Sequence, residues 1–243
     1  MSLSTNHITV VLTSQNQGRL LNPSVRSVEA AIQRAESELA IDVEWIITTD
    51  SLSPETEEYF NCHLPTRVRK LIVLNGNTAA VINQAVKEAT GQFVAIVGGH
   101  DLVSSNWLSK SYRECTSRSA NVVYHPGMVV AFGDRQFVFI TPDQEHPDFS
   151  TDLLFSRNLW PGISFALRDI FLVHPFVQPD KASGFGHIYW HWVCDSVAGG
   201  VLHKAMKDTF SCCNVSQEHA CIFPEDDKAL LMPPSKLFVL AYV

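Results

Sequence analysis

The chain predicts an α/β fold, a mixed and mostly parallel sheet with helices on both faces. Over the first hundred residues, short apolar runs of strand character alternate strictly with segments of helical period, the pattern of parallel strands joined by crossover helices. The strand runs are apolar almost throughout, as strands covered on both faces are. Polar clusters at 13–18, 48–53, 75–77 and 98–101 each follow a strand. In open sheets of this class ligands lie beyond the carboxyl ends of the strands, so these clusters are the candidate site.

The elements follow in order. Ile8 to Leu12 is a β-branched run that stops at polar Thr13 to Gly18. Asn22 to Leu39, with Pro23 at its start, places Val25, Val28, Ala31, Ile32 and Ala35 at helical spacing. Val43 to Thr48 is a second strand, and Ser53-Pro54 caps a short helix reaching Phe60. Val68 to Leu74 is a third strand. An amphipathic helix from Thr78 to Thr90 closes at Gly91. Phe93 to Val97 is a fourth strand, ending at Gly98-Gly99-His100-Asp101.

Beyond Trp107 the pattern changes. Trp107 to Ser117 predicts a helix, Asn121 to His125 and Met128 to Phe132 two strands around Pro126-Gly127, and Phe137 to Ile140 another. Thr141 to Thr151, rich in Pro, Asp, Glu and His, predicts a mobile loop. Phe165 to Val173 and Tyr189 to Ala198 predict helices, and the apolar Lys236 to Val243 an edge strand or docking tail. With no linker in between, the expected organisation is a single domain over 1–243.

Composition narrows the function. The 243 residues carry 18 Lys+Arg against 25 Asp+Glu, a net charge of −7, whereas a nucleic-acid binder needs a basic stripe to release phosphate counterions. No run of about 18 apolar residues predicts a membrane span. Met1 to Asn6 lacks the layout of a secretory signal. The six cysteines accordingly read as reduced thiols, and the protein as cytoplasmic.

At Gly98 to Asp101 the chain resembles the family 2 nucleotide-sugar glycosyltransferases, whose GT-A fold is one Rossmann-type α/β domain. Ile8 to Asn16 is similar to the family's opening strand and loop, and Trp45 to Asp50 to its second strand with a terminal Asp. Asn75-Gly76-Asn77, Asn83 and Ala89-Thr90-Gly91-Gln92-Phe93 follow in family order. Asp101-Leu102-Val103 with Asn106-Trp107-Leu108 matches the passage after the metal motif. The resemblance implies a nucleotide-sugar-binding half over 7–107, an acceptor half over 108–210 and a tail over 211–243. It implies that Thr13, Gln15, Asn16, Asp50, Asn77, Asn83 and Gly99 bind the donor, a UDP-sugar first among the candidates. A divalent cation, Mn²⁺ or Mg²⁺, would be held by His100 and Asp101. The acceptor would be a glycan or a lipid-linked acceptor, and a homo-oligomer is compatible with the sequence.

The chain departs from the family where carboxylates are needed. Glycine replaces the first metal-motif Asp, leaving His100 and Asp101; His100 can equally be a polar residue closing a strand. Ile82 stands where an arginine often precedes Asn83. Gly186-His187 stands where the family has its acidic pair, with Ala198-Gly199 following at nearly the family spacing. A histidine has a reference pKa near ~6.5 and is competent as a general base, so His187 is the first catalytic candidate. Asp195, with Asp180, is a carboxylate that could serve instead or orient the imidazole. His187 and His191 lie four apart, a metal-ligand spacing on a helix, though ring packing among the tryptophans serves equally for His191. Trp160 could stack on a sugar and Ser164 touch it, but buried aromatics are more often core. The expected activity is inverting sugar transfer. The alternative is a GT-A-like module that binds nucleotide or glycan without turnover, or a subunit of a glycan-assembly complex.

Overall fold

The computed structural model describes residues 7–73, 76–118, 121–178, 184–215 and 232–240. Four parallel strands come first: β1 (Ile8–Ser14), β2 (Val43–Thr49), β3 (Arg69–Ile72) and β4 (Phe93–Gly98). They lie in the order β3-β2-β1-β4, with β1 paired to both β2 and β4. The crossovers are helices α1 (Asn22–Leu39), α2 (Pro54–Cys62) and α3 (Thr78–Glu88). Pro54 occupies the first turn of α2, and Ser53 Oγ accepts from Thr56 N, so the cap forms where the sequence predicts it. Gly91 has another role than closing α3: a Cβ there would meet Thr9 N at 2.5 Å, so glycine allows this turn to lie against β1.

The second half continues the same sheet, mostly antiparallel. β5 (Asp101–Val103) leaves β4 almost at once, and α4 (Trp107–Ser117) follows. Then come β6 (Val122–Gly133), β7 (Phe137–Ile140), β8 (Ser164–Leu167), helices α5 (Arg168–Val173) and α6 (Ile188–Ala198), β9 (Leu202–Val215) and the short α7 (Lys236–Leu240). Among the described residues the sheet has nine strands, running β4-β8-β6-β9-β5 beyond the parallel half, with β7 against β6. Alternating strand residues feed two cores. Val10, Leu12 and Val97 pack with α1 and α4; Val11, Ile46 and Ile96 pack with α3, α5 and α6.

Several expectations are corrected here. The two strands around Pro126-Gly127 are one strand, whose register shifts between Pro126 and Met128; proline is tolerated in a strand at such an irregularity. The predicted helix over 165–173 begins as strand β8, because a short apolar run has no decisive periodicity. β5 and β9 were not predicted, and β9 carries the sheet through residue 215, past the expected start of the tail. Residues 236–240 are helical rather than strand; 241–243 lie outside the described residues, as do Leu74, Asn75, Asp180 and His219. The expected mobile loop is tied down: Gln144 exchanges two hydrogen bonds with the His203 backbone, and Lys204 pairs with Asp143 and Glu145. Cys62, Cys115, Cys194 and Cys212 are free thiols, but Cys213 is disulfide-bonded to a partner outside the described residues.

Candidate functional site

Three loops meet at the carboxyl edge of the parallel strands. Thr13 of β1 is buried and in register with Thr48 on one side and Gly98 on the other. Two residues beyond those partners stand Asp50 and His100, one on each side of the loop 14–17. That loop binds both neighbours through adjacent side chains. Asn16, at a φ of 61° that asparagine tolerates better than most residues, donates from Nδ2 to Ser51 Oγ at 2.6 Å and accepts from Ser53 N at 2.8 Å. Ser51 Oγ in turn donates to Asp50 Oδ1 at 2.9 Å. On the other side Gln17 Nε2 lies 2.9 Å from His100 Nε2. Gln15, exposed at the loop tip, donates its N–H to Gln17 Oε1.

Gly99 lets the loops close. A Cβ there would sit 2.5 Å from Thr13 O and 2.7 Å from Gln17 Nε2. Its carbonyl accepts from Ser24 Oγ at 2.8 Å, which ties the turn to α1.

The first turn of α6 borders this edge. Burial pushes the Asp101 carboxyl up to about 7, although the Gly98 N–H donates to it. The Tyr189 hydroxyl is also raised, first by burial and then by the Asp101 charge. The Tyr189 ring occupies the space a Cβ on Gly162 would need, 2.9 Å from Cε1. Two residues earlier, His187 caps α6 in the left-handed region, φ 62° and ψ 49°, with its ring edge-on to Trp190 at 5.6 Å.

Other predicted residues are engaged elsewhere. Asn77 caps α3 by accepting from Ala80 N at 2.9 Å. Asn83 holds the Phe176 backbone through both its polar atoms, at 2.8 and 2.9 Å. Asp195 Oδ1 accepts from Lys236 N at 2.8 Å, at the start of α7; eight residues along α6 from His187, it is about 12 Å farther along the helix axis. Trp160 does not offer its face to a ligand. It is fully buried, bonded to Pro142 O and stacked on His125 and tilted on His203. Ser164 is 1% exposed within β8. His191 is buried with Nε2 3.2 Å from Pro234 O, so the i, i+4 spacing with His187 does not make a metal pair. Among the described residues no three His, Cys, Asp or Glu side chains converge as a metal set.

A second histidine cluster lies in the interior. His125 Nδ1 meets Ile163 O at 2.8 Å, His125 Nε2 meets His203 Nδ1 at 2.9 Å, and His203 Nε2 meets Ser196 Oγ at 2.9 Å. A carbonyl can only accept, so His125 carries its proton on Nδ1, His203 donates from Nδ1, and Ser196 donates to His203 Nε2. Burial holds both imidazoles neutral, lowering His125 to about 4 and His203 well below its ordinary value.

Sequence reasoning missed Gln17 and Ser51, and it read Tyr189 only as one of several aromatics that could stack on a sugar, not as the neighbour of Asp101. The polar run 13–18 marked the right loop, but only tertiary contact reveals which of its side chains reach which neighbour.

A parallel nucleotide-type half with a three-loop cradle at its strand ends, completed by antiparallel strands and α6, is the architecture of the GT-A glycosyltransferases. The chain belongs to Glycosyl transferase family 2, which it matches over residues 9–165. Among solved structures it is similar to Staphylococcus aureus TarS 1–349 in complex with UDP, with TM-score 0.60 and 15% identity over 90% of this chain and 62% of that one. The same protein with UDP-GlcNAc gives TM-score 0.61 and 13% identity over 86% and 59%. The mannosyltransferase PcManGT of Pyrobaculum calidifontis, in complex with GDP-Man and Mn²⁺, gives 0.55 and 13% over 85% and 56%. At these identities the likeness is one of fold, and the chain spans about three fifths of the length of these relatives. No match to a curated protein was found. Among the described residues no helix is long and apolar enough to cross a membrane.

Proposed function

We propose that the chain transfers a sugar, with inversion, from a nucleoside diphosphate donor, a UDP-sugar foremost, to a hydroxyl of a glycan or lipid-linked acceptor. The observation that carries this reading is the cradle itself, in which the 14–17 loop is bonded to the Asp50 loop on one side and to His100 on the other. The complexes of TarS with UDP and UDP-GlcNAc and of PcManGT with GDP-Man support a nucleotide-sugar as the donor. Asp50 takes the ribose or base, and Thr13, Gln15, Asn16 and Gly99 line the nucleotide. His187, at the start of α6, removes the acceptor proton as the new bond to the anomeric carbon forms. The bond to the phosphate oxygen breaks on the opposite side, and its electron pair leaves with the nucleoside diphosphate. Asp195 serves as the cap of α7 rather than as the base.

A second reading, a module that binds nucleotide without turnover, is favoured by one observation: the first turn of α6 carries His187 and no acidic pair. One pair of measurements separates the two. Replacing Asp50 by alanine should weaken UDP binding about tenfold by titration calorimetry, the loss of one hydrogen bond to a charged group; unchanged affinity sinks the cradle assignment. UDP binding without hydrolysis or transfer, across a panel of nucleotide-sugars and acceptors, leaves the module reading.

A further inference from the structure

We infer that the acceptor of this chain carries a long hydrocarbon chain, which lies in an open cavity between a bulge of β9 and the segment 141–153, while its sugar-accepting hydroxyl reaches the first turn of α6. The inference rests on the reading of that turn as the acceptor side. The cavity starts from an irregularity of the sheet. Met206 of β9 pairs with Pro126 and Phe210 with Met128, so Lys207, Asp208 and Thr209 together oppose Gly127 alone. Asp208, at a φ of 55°, turns the bulge outward. Thr209 Oγ1 fixes it, donating to Met206 O at 2.7 Å and accepting from Gly127 N at 3.1 Å. Only glycine fits at 127, because a Cβ there would strike Met206 O. Bulges of this kind bend a strand and recur beside active sites.

The segment 141–153 forms the opposite wall and is anchored. Thr141 donates from N to Gly127 O and from Oγ1 to Pro126 O, Trp160 Nε1 donates to Pro142 O, and the Phe149 ring packs on Trp160 at 5.7 Å. Between the walls is a cavity of about 820 Å³, within the ~300–1,000 Å³ of small-ligand pockets. Met128, Ile140, Pro142, Phe149, Leu153 and Phe210 give it hydrocarbon walls, and a contiguous apolar surface open to water marks a binding site. The carboxylates that line it already have partners: Asp143 pairs with Lys204, Asp208 with Lys110, and Asp148 lies beside His146. Lys207 is the one Lys or Arg among the described lining residues, so the walls hold no clamp for a phosphate or carboxylate. A neutral hydrocarbon chain fits them. Position joins the cavity to the acceptor side. Through Ala166 of β8, Val123 of β6 is in register with Val94 of β4, so Gly127 is level with Gly98 at the carboxyl edge. Leu154 O, next along the wall from Leu153, accepts from Trp190 Nε1 at 2.9 Å and binds the wall to the first turn of α6.

The test is titration calorimetry of hexyl, octyl and decyl β-maltoside, each below its micelle concentration, into the full chain, with UDP titrated separately. Affinity should rise between about twofold and fourfold for each added methylene, the gain of burying hydrocarbon in a cavity open on one side. Equal affinity across the series overturns the inference; UDP binding then leaves the cradle reading standing, and its absence removes both. A rise with chain length in a protein that binds no UDP overturns the assignment to an acceptor. Ile140→Glu should lower decyl maltoside affinity about tenfold, whereas Val138→Glu, the same kind of change at an equally exposed position two residues along β7 and outside the cavity, should leave it within about twofold. Equal loss in both variants means adsorption to any apolar surface and overturns the inference. Should Ile140→Glu not fold, the ¹³C-methyl signal of Met128 in the wild type should shift on addition of decyl maltoside, while that of Met206, buried in the core with α1 and α4, stays in place; an unmoved Met128 signal overturns the inference. Equal affinities together with a wild type that sediments as a dimer and an Ile140→Glu variant that sediments as a monomer assign this face to a second copy of the chain instead.

Discussion

The two halves of the sheet use polar residues in opposite ways. In the parallel half they stand at strand ends, exposed or partly so except for the buried Gln17, and bond loop to loop: Asn16 to Ser51 and Ser53, Gln17 to His100. In the antiparallel half the conspicuous polar and aromatic residues are interior. His125, His203, Trp160 and Ser196 form a closed buried cluster, and Asp195 and His191 hold the connection to 234–236. Residue type alone marks both sets as functional candidates. Position relative to the strand ends separates them, because a ligand reaches only a polar group the fold has left accessible.

The sharpest break of this contrast is at His187, the one partly exposed histidine at the start of α6. His187→Ala should lower kcat by about 10²- to 10⁴-fold, the range for a lost general base, while UDP affinity by calorimetry stays within about twofold. Full turnover in the variant would mean that the antiparallel half supplies its base elsewhere, with Asp101, whose charge acts on Tyr189 in the first turn of α6, a carboxyl to examine.

The interior cluster should answer to stability and not to nucleotide affinity. His203→Ala leaves His125 Nε2 without its partner, leaves the Ser196 hydroxyl only the carbonyls of its own helix, and opens a cavity beneath Trp160 and Trp192. Urea denaturation should show a loss of about 3 kcal/mol, combining an unsatisfied imidazole nitrogen with a void. The same cluster makes stability depend on pH with a defined sign. The folded-state pKa values of His125 and His203 are depressed, so between about 4 and 6.5 the unfolded chain binds more protons. The contribution is full above 6.5 and is lost as pH falls toward 4. Asp101, raised to about 7, acts in the opposite direction over much of that window. The comparison is therefore between the wild type and the double variant His125→Gln, His203→Gln, which keeps Asp101 and every ion pair. The urea midpoint should rise less steeply from pH 4 to 6.5 in the double variant; parallel curves would refute the assignment.

Much of the parallel half was legible in the sequence because its signals are local: an apolar run, a cap, a helical period, a polar stop. The antiparallel half was less so. β9 runs for 14 residues, but it bends at Asp208, whose φ is 55°, and carries His203, Lys204, Lys207 and Asp208 along its length, so no clean alternation marks it. β5 is three residues long, too short for any period to mark it, and it joins the sheet only through its pairing with β9. At the site, Thr13, Asn16, Asp50, Gly99 and His100 were legible as strand-end residues. Gln17 was not, since its role comes from Gln15 N–H turning its amide toward a residue 83 positions away.

The smallest effect tests whether the two sides of the cradle are independent. Ser53 Oγ caps α2 through Thr56 N, and it also donates to Thr56 Oγ1, which accepts from Gly18 N at 3.1 Å. Ser53→Ala removes a cap worth about 1 kcal/mol, a fall in Tm of about 2–4 °C for a chain of this size. The bond from Ser53 N to Asn16 is a backbone bond and survives the change, and the Gln17–His100 contact lies on the far side of the loop. UDP affinity should therefore fall no more than about twofold. A loss approaching that of Asp50→Ala would mean that the 14–17 loop transmits strain from one neighbour to the other, so that Asn16 and Gln17 act as one device rather than as two separate clasps.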